Sequence, residues 1–265
     1  MSTSGVVSGI VERRWPGLLE QLPTFPEVGS SLLRTIIVAM FVLTFVMDPC
    51  MIPSPSMERT LMVGDFLLSN RQVFAPEGPV GRWILPYRNV RRGDVVVFYH
   101  PDPSLLVKRV VGIPGDHLRV VGGHVFINGL QLKEPYARIT PGAASDEFPP
   151  NTYSDPEVDP AWWGQMQSLT RNGELTIPQG EYFVLGDNRD HSDDSRFWGF
   201  VPRQAIFAKP LVIYFSLKVP SQAHVPLPPQ VQVATAANDR LEDEKGLLAK
   251  FTGLARWNRI FHVVH

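Results

Sequence analysis

The alternation of apolar and polar positions changes period along the chain. From Thr35 to Met47 runs TIIVAMFVLTFVM, uncharged and apolar on every side, and Leu32, Leu33 and Arg34 extend it towards the N-terminus. A segment with no polar face for water, approaching the roughly 20 residues a bilayer requires, predicts a transmembrane helix over 31–48. A buried core helix is the competing reading, and a cleaved signal peptide is a second. The second fits poorly, because the leader is long and DPCMIPSPS after the apolar run holds no small-x-small cleavage pattern. Arg13, Arg14 and Arg34 precede Asp48, so the positive-inside tendency places residues 1–30 in the cytoplasm as a Pro-punctuated tail, with everything beyond Met47 outside.

Beyond the anchor the period becomes strand-like. Asp94–His100 (DVVVFYH) and Leu105–Val111 (LLVKRVV) are β-branched runs bounded by Gly and Pro. A three-strand meander follows, with Gly122-Gly123 and Asn128-Gly129 as two-residue hairpin turns. Glu181–Leu185 and Ala205–Ser216 add further strands. The expected fold is mainly β: an antiparallel extracytoplasmic domain over 49–218, with an N-terminal transmembrane helix and a C-terminal helix. Residues 141–172 show no period and read as an inserted loop, whose Trp162-Trp163 pair either touches a membrane or, as favoured here, packs the insertion down. Residues 219–265 read as a Pro-rich linker and an amphipathic helix from Asn238, with Leu247, Leu248, Phe251 and Leu254 on one face. That helix either lies on an anionic membrane or docks on the domain.

Composition removes whole classes of function. The 265 residues carry 25 Lys plus Arg against 26 Asp plus Glu, a net charge of −1 with no electrostatic footprint for nucleic acid. The one cysteine, Cys50, cannot form an internal disulfide, and no Cys/His spacing suits zinc.

Three segments hold candidate chemistry. Ser56 stands in Ile52-Pro53-Ser54-Pro55-Ser56-Met57, about nine residues past the anchor, so an extended link keeps it within about 30 Å of the membrane. By itself a serine in such a stretch reads as a turn. In LLVKRVV, Lys108 and Arg109 point to opposite faces, so one cation enters apolar surroundings unless the strand is exposed. Burial disfavours the ammonium, and a neutral lysine is a general base, whereas an edge strand would use the charge as a gatekeeper. The loop GDNRDHSDDSRFWG, Gly186–Gly199, crowds four carboxylates and two guanidiniums together, which suggests internal ion pairs that fix its shape. Calcium fails on ligand spacing, since Arg189 occupies the second ligand's place. His191 invites a Ser-His-Asp triad, though a histidine among charged neighbours is more often solvated.

The blocks PSPSM-x-x-TLMVGD, RRGDVVVF, VKRVVGIPGD and GDNRDHSDDSRFWGFVP, in that order after an apolar segment, resemble the bacterial type I signal peptidases over roughly Ile36 to Ser216. The resemblance implies a membrane-anchored serine endopeptidase of largely antiparallel β fold. Its partners would be the signal peptides of exported preproteins and the plasma-membrane bilayer, and it would need no metal or cofactor. Carried over residue by residue, it implies Ser56 as nucleophile and Lys108 as general base. Ser54 would join the Ser56 backbone N–H in an oxyanion hole, and Ser192 would orient the Lys108 amine. Asp194 and Arg196 would form a supporting ion pair with Asp187 nearby, and Cys50, Ile52, Leu61 and Val107 would line shallow substrate pockets. This chain departs from the pattern at Pro55, where glycine is usual, and at Arg59, where proline is usual; Pro55 lacks an N–H and pushes Ser54, the oxyanion-hole hydroxyl, towards an extended conformation.

The chemistry is coherent on its own terms. A hydroxyl is a weak nucleophile until a base takes its proton, and lysine in water, at about 10.4, is almost wholly protonated. Lowering it by two to three units costs about 3 to 4 kcal/mol of stability, an expense typical of active sites. The alternative from another class is an inactive membrane-tethered β module that binds exported proteins. Self-cleaving repressors share the dyad, but they are cytoplasmic and carry a DNA-binding module that this chain lacks.

Overall fold

The computed structural model describes residues 25–45, 47–74, 88–100, 105–140, 147–153, 155–218 and 254–264. The chain divides into two units, Met1–Val46 and Met47–His265. In the first, helix α1 covers Phe25–Phe45. Proline is tolerated in a first helical turn, where Pro26 lies. From Val28 to Phe41 every side chain is exposed, Leu32, Ile37 and Met40 among them. Among the described residues no helix is long and apolar enough to cross a membrane, so α1 does not by itself establish the expected anchor. Nor does it keep the expected bounds of 31–48: it begins earlier, and Met47 and Asp48 already belong to a strand. The tail 1–24 and the linker and helix body over 219–253 lie outside the described residues.

The second unit is built from antiparallel strands in two sheets among the described residues. The larger contains β1 (Met47–Met51), β2 (Asp65–Asn70), β3 (Val95–Tyr99), β4 (Leu105–Gly112), β10 (Glu181–Leu185), β11 (Val201–Pro202), β12 (Ile206–Ser216) and β13 (His262–Val263). Its order is β1-β2-β12-β3-β4-β10-β11, with β13 also on β12. Pro49 lies in the edge strand β1, and Pro210 lies at a register shift in β12, the two settings in which a residue without an N–H does least harm. The smaller sheet has the order β7-β6-β5-β9-β8, from β5 (His117–Val121), β6 (His124–Ile127), β7 (Leu130–Gln131), β8 (Thr170–Arg171) and β9 (Glu174–Thr176). Its first two turns are Gly122-Gly123 and Asn128-Gly129, all four residues at positive φ, which a two-residue turn between right-twisted strands requires.

Two corrections concern the insertion and the C-terminus. Within 141–172, expected to be irregular, helix α2 spans Pro160–Leu169. The Asp159 side chain accepts from the Ala161 and Trp162 N–H groups, and Pro160 stands in the first turn, so the start carries both usual signals. Trp162 is buried edge-on against Phe200, with ring centroids 5.0 Å apart, and Trp163 meets Tyr153. The pair packs the insertion down. At the other end, the amphipathic helix expected to run through Leu254 gives way to a 3-10 turn at Trp257–Arg259 and then to β13. The reason is pairing: Val263 faces Val212 across β12, and Val264 enters an apolar cluster with Ile52, Leu61 and Ile213.

Candidate active site

The turn that carries Ser56 follows from its prolines. Ser54 is extended (φ −123°, ψ 153°), the conformation imposed on a residue before proline. Pro55 opens the 3-10 turn Pro55–Met57, a place where a missing N–H leaves no acceptor unsatisfied. Glu58 N then donates to Pro55 O at 3.0 Å and Leu61 N to Met57 O at 2.8 Å. Ser56 is buried, and its Oγ lies 3.3 Å from Ser54 Oγ. From the opposite side Asn188 clamps the turn, its N–H donating to Ser56 O at 3.0 Å and its Nδ2 to Pro55 O at 3.2 Å.

Lys108 lies on β4 opposite Val96 of β3, and only 3% of it is exposed. Its Nζ donates to Ser192 Oγ at 3.1 Å, and no carboxylate is within ion-pair distance among the described residues. Burial pushes its pKa below the ordinary lysine value, and the attraction of Asp194 and Asp193 does not restore it. The neighbouring Arg109 is equally buried, so both cations enter the protein, where one had been expected to. They differ in company. Arg109 forms a bidentate pair with Asp187, Nε to Oδ1 and NH2 to Oδ2 both at 2.8 Å, and its guanidinium lies 3.9 Å from the Tyr136 ring centroid. Arg109 has a carboxylate against its guanidinium, whereas the Lys108 amine is buried against a hydroxyl, a setting that disfavours the ammonium form.

Gly186 brings the two serines together. A Cβ at this position would be 2.2 Å from Ser192 Oγ and 2.5 Å from Ser56 O, so hydroxyl and carbonyl face one point from two sides. The Ser56 turn also packs against β4. Ser54, Ser56, Lys108 and Ser192 therefore form one cluster, with Ser56 bonded to Ser54 and Lys108 bonded to Ser192 in place of a direct Ser56–Lys108 hydrogen bond.

Buried arginine pairs freeze the loop after Gly186, mostly with partners outside it. Asp194 caps α3 (Ser195–Trp198), accepts from Gly186 N at 3.0 Å, and binds Arg196 Nε at 2.8 Å. Burial, the largest influence, would raise its pKa, but the Arg196 charge and hydrogen bond, the Lys108 charge and the Gly186 N–H together hold the carboxyl below the usual carboxylate range. The other two pairs, Asp187–Arg109 and Arg189–Glu134, reach distant strands and loops. The expected internal pairing is met by Asp194–Arg196, while Asp187 and Arg189 take partners from outside the loop. Trp162 Nε1, donating to Arg196 O at 3.2 Å, ties the insertion to the same loop.

His191 is exposed, and its ring makes no hydrogen bond or ion pair among the described residues. His191→Asn is expected to keep more than half of whatever hydrolytic rate the parent shows, and a loss of several orders of magnitude would restore the triad. Among the described residues no group of three or more His, Cys, Asp or Glu is placed to hold a metal ion. Cys50, Ile52, Leu61 and Val107 all join one apolar cluster, but Leu61 (0% exposed) and Ile52 (3%) are interior, which leaves accessible surface to Cys50 and Val107. Burial pushes the Cys50 thiol up, so it stays protonated and apolar. The sequence does not single out Asn188, Glu134 or Thr60, whose hydroxyl donates to Asp187 Oδ2 and accepts from Arg109 NH2 at 3.3 Å. Asn188 was the one neutral amide in the quoted loop, and that was the available signal.

Residues 26–215 match the family described as signal peptidase, peptidase S26. Signal peptidase I of Pseudomonas fluorescens is 34% identical over 232 residues, 78% of this chain and 78% of that protein. For the Pseudomonas aeruginosa enzyme of the same name the identity is 32% over 245 residues, 82% and 83% of the two chains. For that of Haemophilus influenzae it is 32% over 261 residues, 76% and 72%.

Proposed function

This chain belongs to the signal peptidase family, peptidase S26, and from that premise we propose that it removes signal peptides from exported preproteins with Ser56 as nucleophile and Lys108 as general base. It is a serine endopeptidase. The observation that carries the dyad is the buried Lys108 amine beside the Ser56 turn, bonded to Ser192 and, among the described residues, without a carboxylate in ion-pair distance. In the proposed reaction Ser56 Oγ attacks the scissile carbonyl and neutral Lys108 takes the hydroxyl proton. The oxyanion is held by the Ser56 N–H and the Ser54 hydroxyl, each such donor typically contributing about 10²- to 10³-fold in rate. The Lys108 ammonium then protonates the leaving amine. Water, deprotonated in turn by Lys108, hydrolyses the ester and frees Ser56. Ser192 and the Asp194–Arg196 pair hold the amine in place, and Asp187 holds β4 through Arg109.

For location, α1 is proposed as a single membrane anchor with the N-terminus cytoplasmic and the second unit outside. Its 21 residues, at about 1.5 Å each, extend to about 31 Å, and its exposed apolar side chains suit lipid better than water. An inactive tethered module would have no use for a buried lysine held against its own solvation. The test uses the full chain in membrane vesicles with a preprotein that carries a small-x-small site. We expect a product whose N-terminus begins just after that site; a preprotein left intact after prolonged incubation would overturn the proposal.

A further inference from the structure

A cleft of about 1060 Å³ lies beside the Ser56 turn, walled by Arg59, His124 and the segment 131–139 with Lys133, Glu134 and Arg138. Arg59 follows Ser56 by three positions and holds φ 90°, a conformation closed to proline, so its charge replaces the family's usual residue on a backbone that proline cannot adopt. Its guanidinium donates to Ala137 O at 2.9 Å, which fixes it in the wall. That wall is attached to the site loop itself, with Arg138 N donating to Asp187 O at 2.7 Å and Arg189 N to Arg138 O at 3.0 Å.

The cleft is cationic. Arg59, His124, Lys133 and Arg138 are exposed, and the one acid in its wall, Glu134, is already bound by the buried Arg189. Glu58 approaches Arg138 at 3.5 Å, but such an exposed pair contributes little. These charges, set beside Leu132, Pro135 and Ile139, distinguish the cleft from the uncharged cluster around Cys50 and Val107, which suits small uncharged side chains. A signal peptide is apolar and ends in small residues before the bond, which suits the Cys50 and Val107 side and leaves the charged wall to the chain that follows it. Resting on the peptidase reading above, we propose that the cleft binds the polypeptide following the scissile bond and selects Asp and Glu there, with Arg59, Lys133 and Arg138 as specificity-determining residues.

The test compares three preproteins with one signal region, bearing Asp-Asp, Ser-Ser or Lys-Lys at the third and fourth positions after the cleaved bond. With the full chain at low salt, kcat/KM for Asp-Asp should exceed that for Lys-Lys by about tenfold, mostly through KM, and the ratio should shrink in 0.5 M salt, as about two exposed pairs would give. Arg59→Ser with Arg138→Ser should bring the ratio near one, and Lys133→Glu with Arg138→Glu, both at exposed positions, should invert it. The ratio is the readout because damage to folding lowers all three rates together. An unchanged ratio in both variants overturns the proposal. Equal loss on all three substrates, seen only with vesicles of anionic lipid, also overturns it, in favour of a lipid headgroup as occupant. Failure of the parent to cleave any of the three would count against the peptidase reading itself.

Discussion

Lys108→Met is expected to abolish preprotein cleavage, by about 10⁴-fold or more, while raising thermal stability at neutral pH. The two effects have one cause. Lys108 is buried without a carboxylate partner, so folding strips its amine of water and lowers its pKa from the ordinary lysine value. Below the lowered value the fold carries the penalty in full, because the unfolded chain holds the proton more tightly. As pH rises from there towards the ordinary lysine value of 10.5 the parent gains stability, and above it the penalty is gone. Each tenfold loss of proton affinity on folding corresponds to about 1.4 kcal/mol, or about 3 °C for a domain of this size. Methionine fills the same space without a charge, so its Tm should exceed the parent's most at low pH, and the gap should close towards pH 10. Parent activity should rise with pH through the same lowered pKa, since only the neutral amine accepts the Ser56 proton. Ser56→Ala is the companion: equally inactive, but with a Tm that tracks the parent at every pH. Scanning calorimetry of the three proteins from pH 6 to 10, with cleavage rates of the parent, checks all of this. A Tm gap that widens with pH would show that Lys108 is charged in the fold.

How much of this arrangement was legible beforehand depends on the range of the interaction. The turns at Gly122-Gly123 and Asn128-Gly129 were readable because positive φ is a property of two adjacent residues. That Lys108 or Arg109 enters the protein was readable, because a strand alternates faces, but not that both do, and an exposed edge strand stayed open until the structure placed β4 between β3 and β10. Arg109–Asp187 and Arg189–Glu134 were not readable, since each joins residues far apart in sequence and nothing local to an arginine identifies its carboxylate. Strands β1 and β2 escaped notice because Pro49 and the adjoining turn broke their alternation, and only their mutual pairing and β12 make them strands. Helix α2 was missed for a different reason. Its N-terminal signals, Asp159 and Pro160, were present, but ten residues with two tryptophans and Gly164 show too little periodicity.

Gly186→Ala should lower kcat/KM by about 10³-fold while leaving a folded protein. Outside such sites Gly→Ala usually stabilises, by about 0.4–1 kcal/mol, because alanine has less freedom to lose. Here the new methyl carbon would stand 2.2 Å from Ser192 Oγ, 2.5 Å from Ser192 Cβ and 2.5 Å from Ser56 O. Rotating the Ser192 hydroxyl does not relieve the contact with its own Cβ. Nor can Ser56 O yield easily, since it is backbone and accepts the Asn188 N–H at 3.0 Å. The loop and the Ser56 turn must therefore separate, which takes Ser192 from the Lys108 amine and the nucleophile from its base. Overpacking of this kind costs about 1–3 kcal/mol, so a lower Tm should accompany the loss of rate. Adding Ser192→Ala to Gly186→Ala removes the 2.2 Å contact but not the one with Ser56 O, so it should recover part of the Tm and none of the rate. Parent-like kcat/KM in Gly186→Ala would mean that catalysis does not need this close approach, and that the Ser56 turn and the Ser192 loop act independently.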